Sequence, residues 1–162
     1  MTDAGQTSAG RSSSSPEEEF VFVDATWELR QTYHRDPIQR QYFAGLLEKR
    51  LLGVRDPVGD HVLFPPHTFW DDPYAELHEL VPVGPGGVIR TLTRIPGGPN
   101  DRPPSIVVYV QLDSASTASA GTLRGPGTDV ADPVELIGAR CRAVFKDEPT
   151  GNWNDYWYEL EG

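Results

Sequence analysis

The 162-residue sequence has almost no cysteine and no long apolar run, and each shortage excludes a class of protein. The single Cys141 cannot form an intramolecular disulfide, a cysteine-rich zinc site or an iron–sulfur site. No apolar run reaches the roughly 18 residues of a membrane-spanning helix. The first residues also lack the apolar core of a secretory signal peptide. We therefore expect a cytoplasmic protein with no membrane partner.

Lysine is scarce, and positive charge is not clustered. The chain has 14 Lys and Arg against 24 Asp and Glu, which gives a formal net charge of −10. The acidic excess lies mostly at the two ends, and the arginines are scattered along the sequence. A protein that binds a phosphate backbone needs clustered basic side chains, because its affinity comes from counterion release. We therefore expect no nucleic acid partner.

Glycine and proline are plentiful, with 16 and 15 residues, which favours a loop-rich, mainly β chain. Residues 1–18 are rich in Ser, Gly and Ala and then acidic, so we predict a disordered tail. Residues 19–53 are predicted to form an N-terminal arm and a helix. Asp36 is a good N-cap, Pro37 suits the first helical position, and Gly53 is predicted to end the helix.

Apolar residues recur at helical spacing between Ile38 and Leu51, and they form a wide aromatic face. This face either packs on the chain's own core or binds a partner protein. A small barrel has too little surface to bury every large apolar side chain of the arm and helix. We therefore predict a partner interface, which consists of Trp27, Tyr33, Tyr42, Phe43, Leu46 and Leu47.

The second half of the chain shows strand patterns separated by Gly- and Pro-rich turns. A short strand at 62–64 comes first. The later candidates are 76–83, 88–95, 105–113, 121–124, 137–146 and 153–160. The segment 105–113 is almost entirely apolar, which predicts a central strand or one buried on both faces. Five to six strands with irregular loops indicate a small Greek-key barrel.

The sequence contains no recognisable active-site motif. Cys141 shares an apolar face with Ala139 and Ala143, so we interpret it as a buried core residue rather than a nucleophile. His61 and His67 lie among aspartates, but they lack the spacing of known metal-binding motifs. An enzyme that uses these histidines and aspartates remains an alternative. The aromatic residues at 153–158 are interpreted as structural rather than as a base-stacking platform.

Short motifs along residues 20–160 resemble the acyl-CoA-associated zinc-ribbon/OB-fold proteins, long filed as a domain of unknown function. Phe43, Leu46, Arg50, Leu51 and Gly53 match the family's helix end. The paired prolines at 65–66 match its ribbon, and the segments 108–113 and 137–145 match two of its strands. The resemblance implies a five-stranded OB-fold barrel at 76–162, preceded by the helical arm and a ribbon at 54–75.

The four zinc-ligand positions implied by the resemblance carry no cysteine. They fall on Asp56, Gly59, Trp70 and Pro73. Glycine, tryptophan and proline side chains cannot bind zinc. We therefore predict a degenerate, metal-free ribbon that is stabilised by aromatic packing, with no cofactor bound by this chain.

The resemblance also implies a function, because family members are mostly accessory subunits of thiolase-superfamily partners. This chain would then be a non-catalytic subunit, with no catalytic residue of its own. It would dock on a thiolase or a thiolase-like retro-aldolase that acts on CoA thioesters, including steroid side-chain thioesters, in a heterotetramer. Two further alternatives remain open beside the enzyme considered above. They are a free-standing acyl-CoA or acyl-carrier binding module and an OB-fold binder of single-stranded nucleic acid.

Overall fold

The computed structural model describes residues 28–29, 32, 34–71, 74–97 and 103–162. The chain divides into two units, Met1–Tyr33 and His34–Gly162, and the elements below belong to the second. The predicted disordered tail, as well as Trp27 and Tyr33 of the predicted interface, lies outside the described residues.

Helix α1 spans Pro37–Leu47 and begins as predicted at Asp36. The Asp36 carboxylate accepts a hydrogen bond of 2.7 Å from the Gln39 N–H, which would otherwise have no partner in the first turn. Burial alone would raise the pKa of Asp36, but backbone hydrogen bonds outweigh it and lower the pKa below its usual value.

The predicted helix end at Gly53 is wrong, because α1 stops at Leu47. Lys49 takes a left-handed backbone with a φ of 57°. The N–H groups of Lys49 and Arg50 donate to the carbonyls of Leu46 and Gly45, at 3.0 and 2.9 Å. These two bonds are those of a Schellman C-cap, with lysine where glycine is usual. The chain therefore turns back four residues before Gly53, which lies inside a strand instead.

Three short antiparallel strands follow the helix. They are β1 (Leu52–Arg55), β2 (Val62–Leu63) and β5 (Glu79–Pro82), in the order β2–β1–β5. Strands β3 (Phe69–Asp71) and β4 (Tyr74–Glu76) form a separate pair between them. The predicted strand at 76–83 is therefore divided, and its second half pairs with β1 rather than with the barrel.

Five longer strands close into a barrel. They are β6 (Gly86–Ile95), β7 (Ser105–Leu112), β8 (Ala118–Leu123), β9 (Arg140–Phe145) and β10 (Tyr156–Leu160). Their order around the barrel is β6–β7–β8–β10–β9, and every pair is antiparallel except β8–β10. A closed five-stranded Greek-key arrangement of this kind is the OB-fold, so the predicted mainly β fold class is confirmed.

Strand β7 shows how the barrel core is built. It pairs with β6 on one side and with β8 on the other, as predicted for a central strand. Ile106, Val108, Val110 and Leu112 point inward and are buried, whereas Tyr109 is exposed on the outer face. Burial of β7 on both faces, which the sequence left open, does not occur. The apolar residues of the outer face therefore belong to the surface of the barrel.

Helix α1 packs near one end of the barrel. The Tyr42 ring lies 5.2 Å from the ring of Trp153, just before β10 begins, and 6.1 Å from that of Phe64. Strand β8 runs parallel to β10, so this is the end at which β8 also begins. The opposite end, where β6 and β8 finish, is not covered by α1.

Candidate functional site

The predicted interface on α1 is largely covered by the chain itself. Tyr42 and Leu46 are fully buried and Phe43 is 5% exposed, so these three side chains pack on the chain's own core rather than on an open face. The loop before β10 accounts for this burial, since the Trp153 ring lies 4.8 Å from that of Phe43. Leu47 is the member of the predicted set that the structure describes as exposed, at 54%.

A second large apolar side chain is exposed on the loop that packs against α1. Trp153 is 55% exposed although one side of its ring packs on α1. Gly151 of the same loop approaches the helix closely, because a Cβ built on it would lie 3.5 Å from the Leu47 side chain. Leu47 on α1 and Trp153 on this loop are thus two exposed apolar side chains, called here the Leu47–Trp153 patch. Sequence reasoning had assigned Trp153 to the barrel alone.

The loop that carries Trp153 is organised by the buried carboxylate of Asp155. This carboxylate accepts hydrogen bonds of 2.8 Å from the N–H groups of Thr150 and Asn152. It also accepts from the Thr150 hydroxyl at 3.0 Å and from Lys146 at 3.3 Å. Burial alone would raise the pKa of Asp155, but these donors outweigh it and hold the pKa at about 2. The carboxylate therefore stays ionised and fixes the loop against α1.

Cys141 is buried, as predicted, on the inner face of β9. Burial raises the pKa of its thiol to about 11. Only the thiolate is a strong nucleophile, so this neutral thiol is unsuited to covalent catalysis.

The ribbon positions are organised without a thiolate. The Asp56 side chain is 2% exposed, and its carboxylate accepts from the N–H groups of Val58 and Gly59 at 2.9 and 3.0 Å. It thereby holds the turn that connects β1 to β2. Gly59 has no side chain to offer, Trp70 is described by its backbone alone, and Pro73 lies outside the described residues.

The described residues form neither a metal-binding cluster nor a membrane-spanning helix. No group of three or more His, Cys, Asp or Glu side chains lies close enough together there to hold a metal ion. No helix in the same ranges is both long enough and apolar enough to cross a membrane.

Two surface cavities of about 510 Å³ each were missed by sequence reasoning, and both are lined by Thr122 and Arg124. One lies at the end of the barrel opposite α1, and the other lies beside Trp153 and Tyr156. Their linings come from segments far apart in sequence, so no local motif marks them. The residue that could have drawn attention to both cavities in the sequence is Arg124, which directly follows the short strand β8.

The described chain is thus an OB-fold barrel joined to a helix and a small ribbon-like sheet. The same architecture occurs in solved structures of the DUF35 family, a domain of unknown function. A DUF35 protein of unknown function from Sulfolobus solfataricus matches with a TM-score of 0.59 and 12% identity, over 77% of this chain and 86% of that one. A chain of the structure named Ltp2-ChsH2(DUF35) aldolase matches with a TM-score of 0.56 and 17% identity, over 81% of this chain and 97% of that one.

These structural neighbours confirm the resemblance drawn from the sequence at the level of the fold. No protein-family model matches the chain. No curated protein matches it either.

Proposed function

We propose that this chain is a non-catalytic accessory subunit that binds and stabilises a catalytic partner of the thiolase superfamily. The observation that carries this proposal is the likeness to the aldolase named Ltp2-ChsH2(DUF35), because the match covers nearly all of the neighbouring chain. The partner would supply every catalytic residue and bind the CoA thioester. We propose a heterotetramer as the assembly, in line with the family resemblance, and the cytoplasm as its location.

The chain's own residues support a structural role. Its one thiol is buried and neutral, and its buried carboxylates at positions 56 and 155 are occupied by backbone donors. The Leu47–Trp153 patch offers the partner a tryptophan and a leucine that a rigid loop and a helix hold in place. Tryptophan is among the residues whose truncation weakens protein interfaces most.

The test is co-expression with a thiolase-family protein encoded beside this chain's gene. We expect the two to co-purify, with a defined stoichiometry by sedimentation and with thioester turnover that depends on the partner's catalytic cysteine or base. Leu47→Asp should weaken the complex at least about tenfold, because it places an unpaired charge in an apolar contact. Ile137→Asp is the matched control, since Ile137 is 46% exposed in the segment between β8 and β9.

Two outcomes would contradict the proposal. One is the absence of any complex at micromolar concentrations. The other is tight binding of immobilised CoA by the chain alone, which would favour an acyl-CoA binding module instead. If a complex forms but Leu47→Asp and Ile137→Asp behave alike, the Leu47–Trp153 patch is not the interface.

A further inference from the structure

The cavity at the end of the barrel opposite α1 has the size and lining of a small-molecule site. Its volume is about 510 Å³, within the usual range of roughly 300–1,000 Å³ for ligand pockets. It lies where β6 ends, β7 begins and β8 ends, a barrel mouth of the kind in which ligands often bind. Its lining combines an apolar part with two arginines, Arg94 and Arg124, and one aspartate, Asp129.

One part of this cavity is apolar. Ile106 and Leu123 are 6% and 4% exposed and belong to the barrel core, and they are opposite one another in the β7–β8 register. Pro103 and Pro104 add apolar surface, and neither has a backbone N–H to satisfy. An alkyl chain placed on this surface would be removed from water, and each buried methylene favours binding.

Two arginines give the rest of the cavity a positive character. Arg94 donates to the Val130 carbonyl at 2.7 Å, which uses one of its five N–H donors and holds the side chain against the loop after β8. The Arg124 guanidinium lies 5.1 Å from the centre of the Trp157 ring. Within the part of the chain that the structure describes, neither guanidinium has a carboxylate within 4 Å. Asp129 is the one acidic residue of the lining, against two arginines.

We propose that this cavity binds a small amphipathic anion, with its alkyl chain against Pro103 and Pro104 and the edges of Ile106 and Leu123, and with its carboxylate or phosphate at Arg124. A guanidinium offers two parallel N–H donors to either anion, which makes such a contact stronger than one between neutral groups. An alcohol of equal chain length would gain the apolar contact and one uncharged hydrogen bond, and a cationic compound would be repelled. The site belongs to this chain alone, so it goes beyond the proposed role as a partner's subunit.

The test compares four ligands that share one alkyl chain: octanoate, octyl phosphate, octan-1-ol and octyltrimethylammonium. Titration calorimetry on the full chain gives the affinities, and amide chemical shifts locate the binding. We expect both anions to bind and to shift the amides of residues 122–124. The alcohol should bind at least about tenfold more weakly, and the ammonium compound should not bind. The ratio between octanoate and octyl phosphate tells which anion the site prefers.

Arg124→Gln is the decisive variant, because Arg124 is on the surface and its loss leaves the core intact. It should weaken octanoate binding about tenfold and leave the alcohol unchanged. Arg142→Gln is the matched control, since Arg142 is an exposed arginine on β9 outside this cavity. Equal affinity for octanoate and octanol, shifts confined to other residues, or equal effects of the two variants would each overturn the proposal.

Discussion

At the scale of single residues, Cys141 shows how strand pairing decides what a side chain can do. It is opposite Leu160 on one side and Gly87 on the other, so two strands enclose it. The apolar pattern of β9 in the sequence already predicted this burial. The enclosure keeps solvent away from the sulfur and keeps the thiol protonated at neutral pH.

We expect Cys141→Ser to lower the free energy of unfolding by about 1–2 kcal/mol, because a hydroxyl replaces a buried thiol with no new hydrogen-bond partner provided. Urea denaturation measures this loss. The turnover of any complex should remain nearly unchanged. A folded Cys141→Ser complex without activity would show that the sulfur has a chemical role.

Asp155 leads to a second prediction, which concerns the pH dependence of folding stability. Its pKa is about 2 in the folded chain, below the usual value of about 3.9 in an unfolded chain. Because this pKa is lower in the folded chain, the ionised carboxylate stabilises the fold at pH values above the pKa of the unfolded chain. This stabilisation is lost as the pH falls from about 4 towards 2. Asp155→Asn should cost about 2 kcal/mol at neutral pH, because charged hydrogen bonds to Thr150 and Lys146 are lost.

Urea midpoints measured from pH 7 down to pH 2 check this prediction. The substituted protein should show a flatter decline below pH 4 than the natural one. Asp147→Asn is a suitable control, because Asp147 is an exposed carboxylate in the same loop. Parallel pH profiles for Asp155→Asn and the natural chain would contradict the assignment.

At the scale of elements, the start of α1 could be predicted and its end could not. Asp36 and Pro37 are strong local signals, and the structure uses both. The end depends on Lys49, which adopts a left-handed backbone that lysine rarely takes. By residue type, Gly53 was the expected end of the helix. Its lack of a side chain instead allows a close approach to Val62, whose Cγ1 would lie 2.7 Å from a Cβ built on Gly53. Tertiary packing therefore overrode the local preference.

The strands of the barrel could be predicted from the apolar pattern of the sequence, whereas the small sheet and the cavities could not. Strands β6 and β7 are long enough for their pattern to stand out. Strands β2 to β4 have two or three residues each, too few to show a period. The burial of Tyr42 and Phe43 depended on Trp153, which lies more than a hundred positions away. Such contacts leave no signal in a single sequence.

The turn between β1 and β2 leads to a prediction about zinc. Asp56 stabilises this turn by accepting hydrogen bonds from two backbone N–H groups. We expect purified protein to contain no stoichiometric zinc, because glycine, tryptophan and proline occupy the other implied ligand positions. Elemental analysis measures the zinc content directly. About one zinc per chain would contradict the prediction and would direct attention to His61, His67 and Asp71.

At the scale of the whole molecule, we predict that assembly with the proposed partner depends on the N-terminal arm. Tyr42, Phe43 and Leu46 are buried in the chain's own core, which leaves Leu47, Trp27 and Tyr33 of the predicted set as candidates for the contact. Deleting residues 1–18 should leave assembly with the partner unchanged, because that segment is polar and unpatterned. Deleting residues 1–35 should abolish it, because Trp27 and Tyr33 are lost. Sedimentation of co-expressed proteins compares the two deletions, and unchanged assembly after the longer one would move the interface to the barrel.

The closure of the barrel between β8 and β10 has a consequence for how the molecule moves. One residue pair, Tyr158 with Leu123, joins these strands, and the Arg124 N–H donates to the Tyr158 carbonyl at 2.8 Å. The β6–β7 pair, by contrast, extends over eight residue pairs. Separating β8 from β10 breaks few hydrogen bonds and needs no global unfolding. We therefore expect these two strands to separate transiently in the native state. In native-state hydrogen exchange, the Arg124 amide should exchange faster than the Val108 and Val110 amides, and an anion held at Arg124 should slow it.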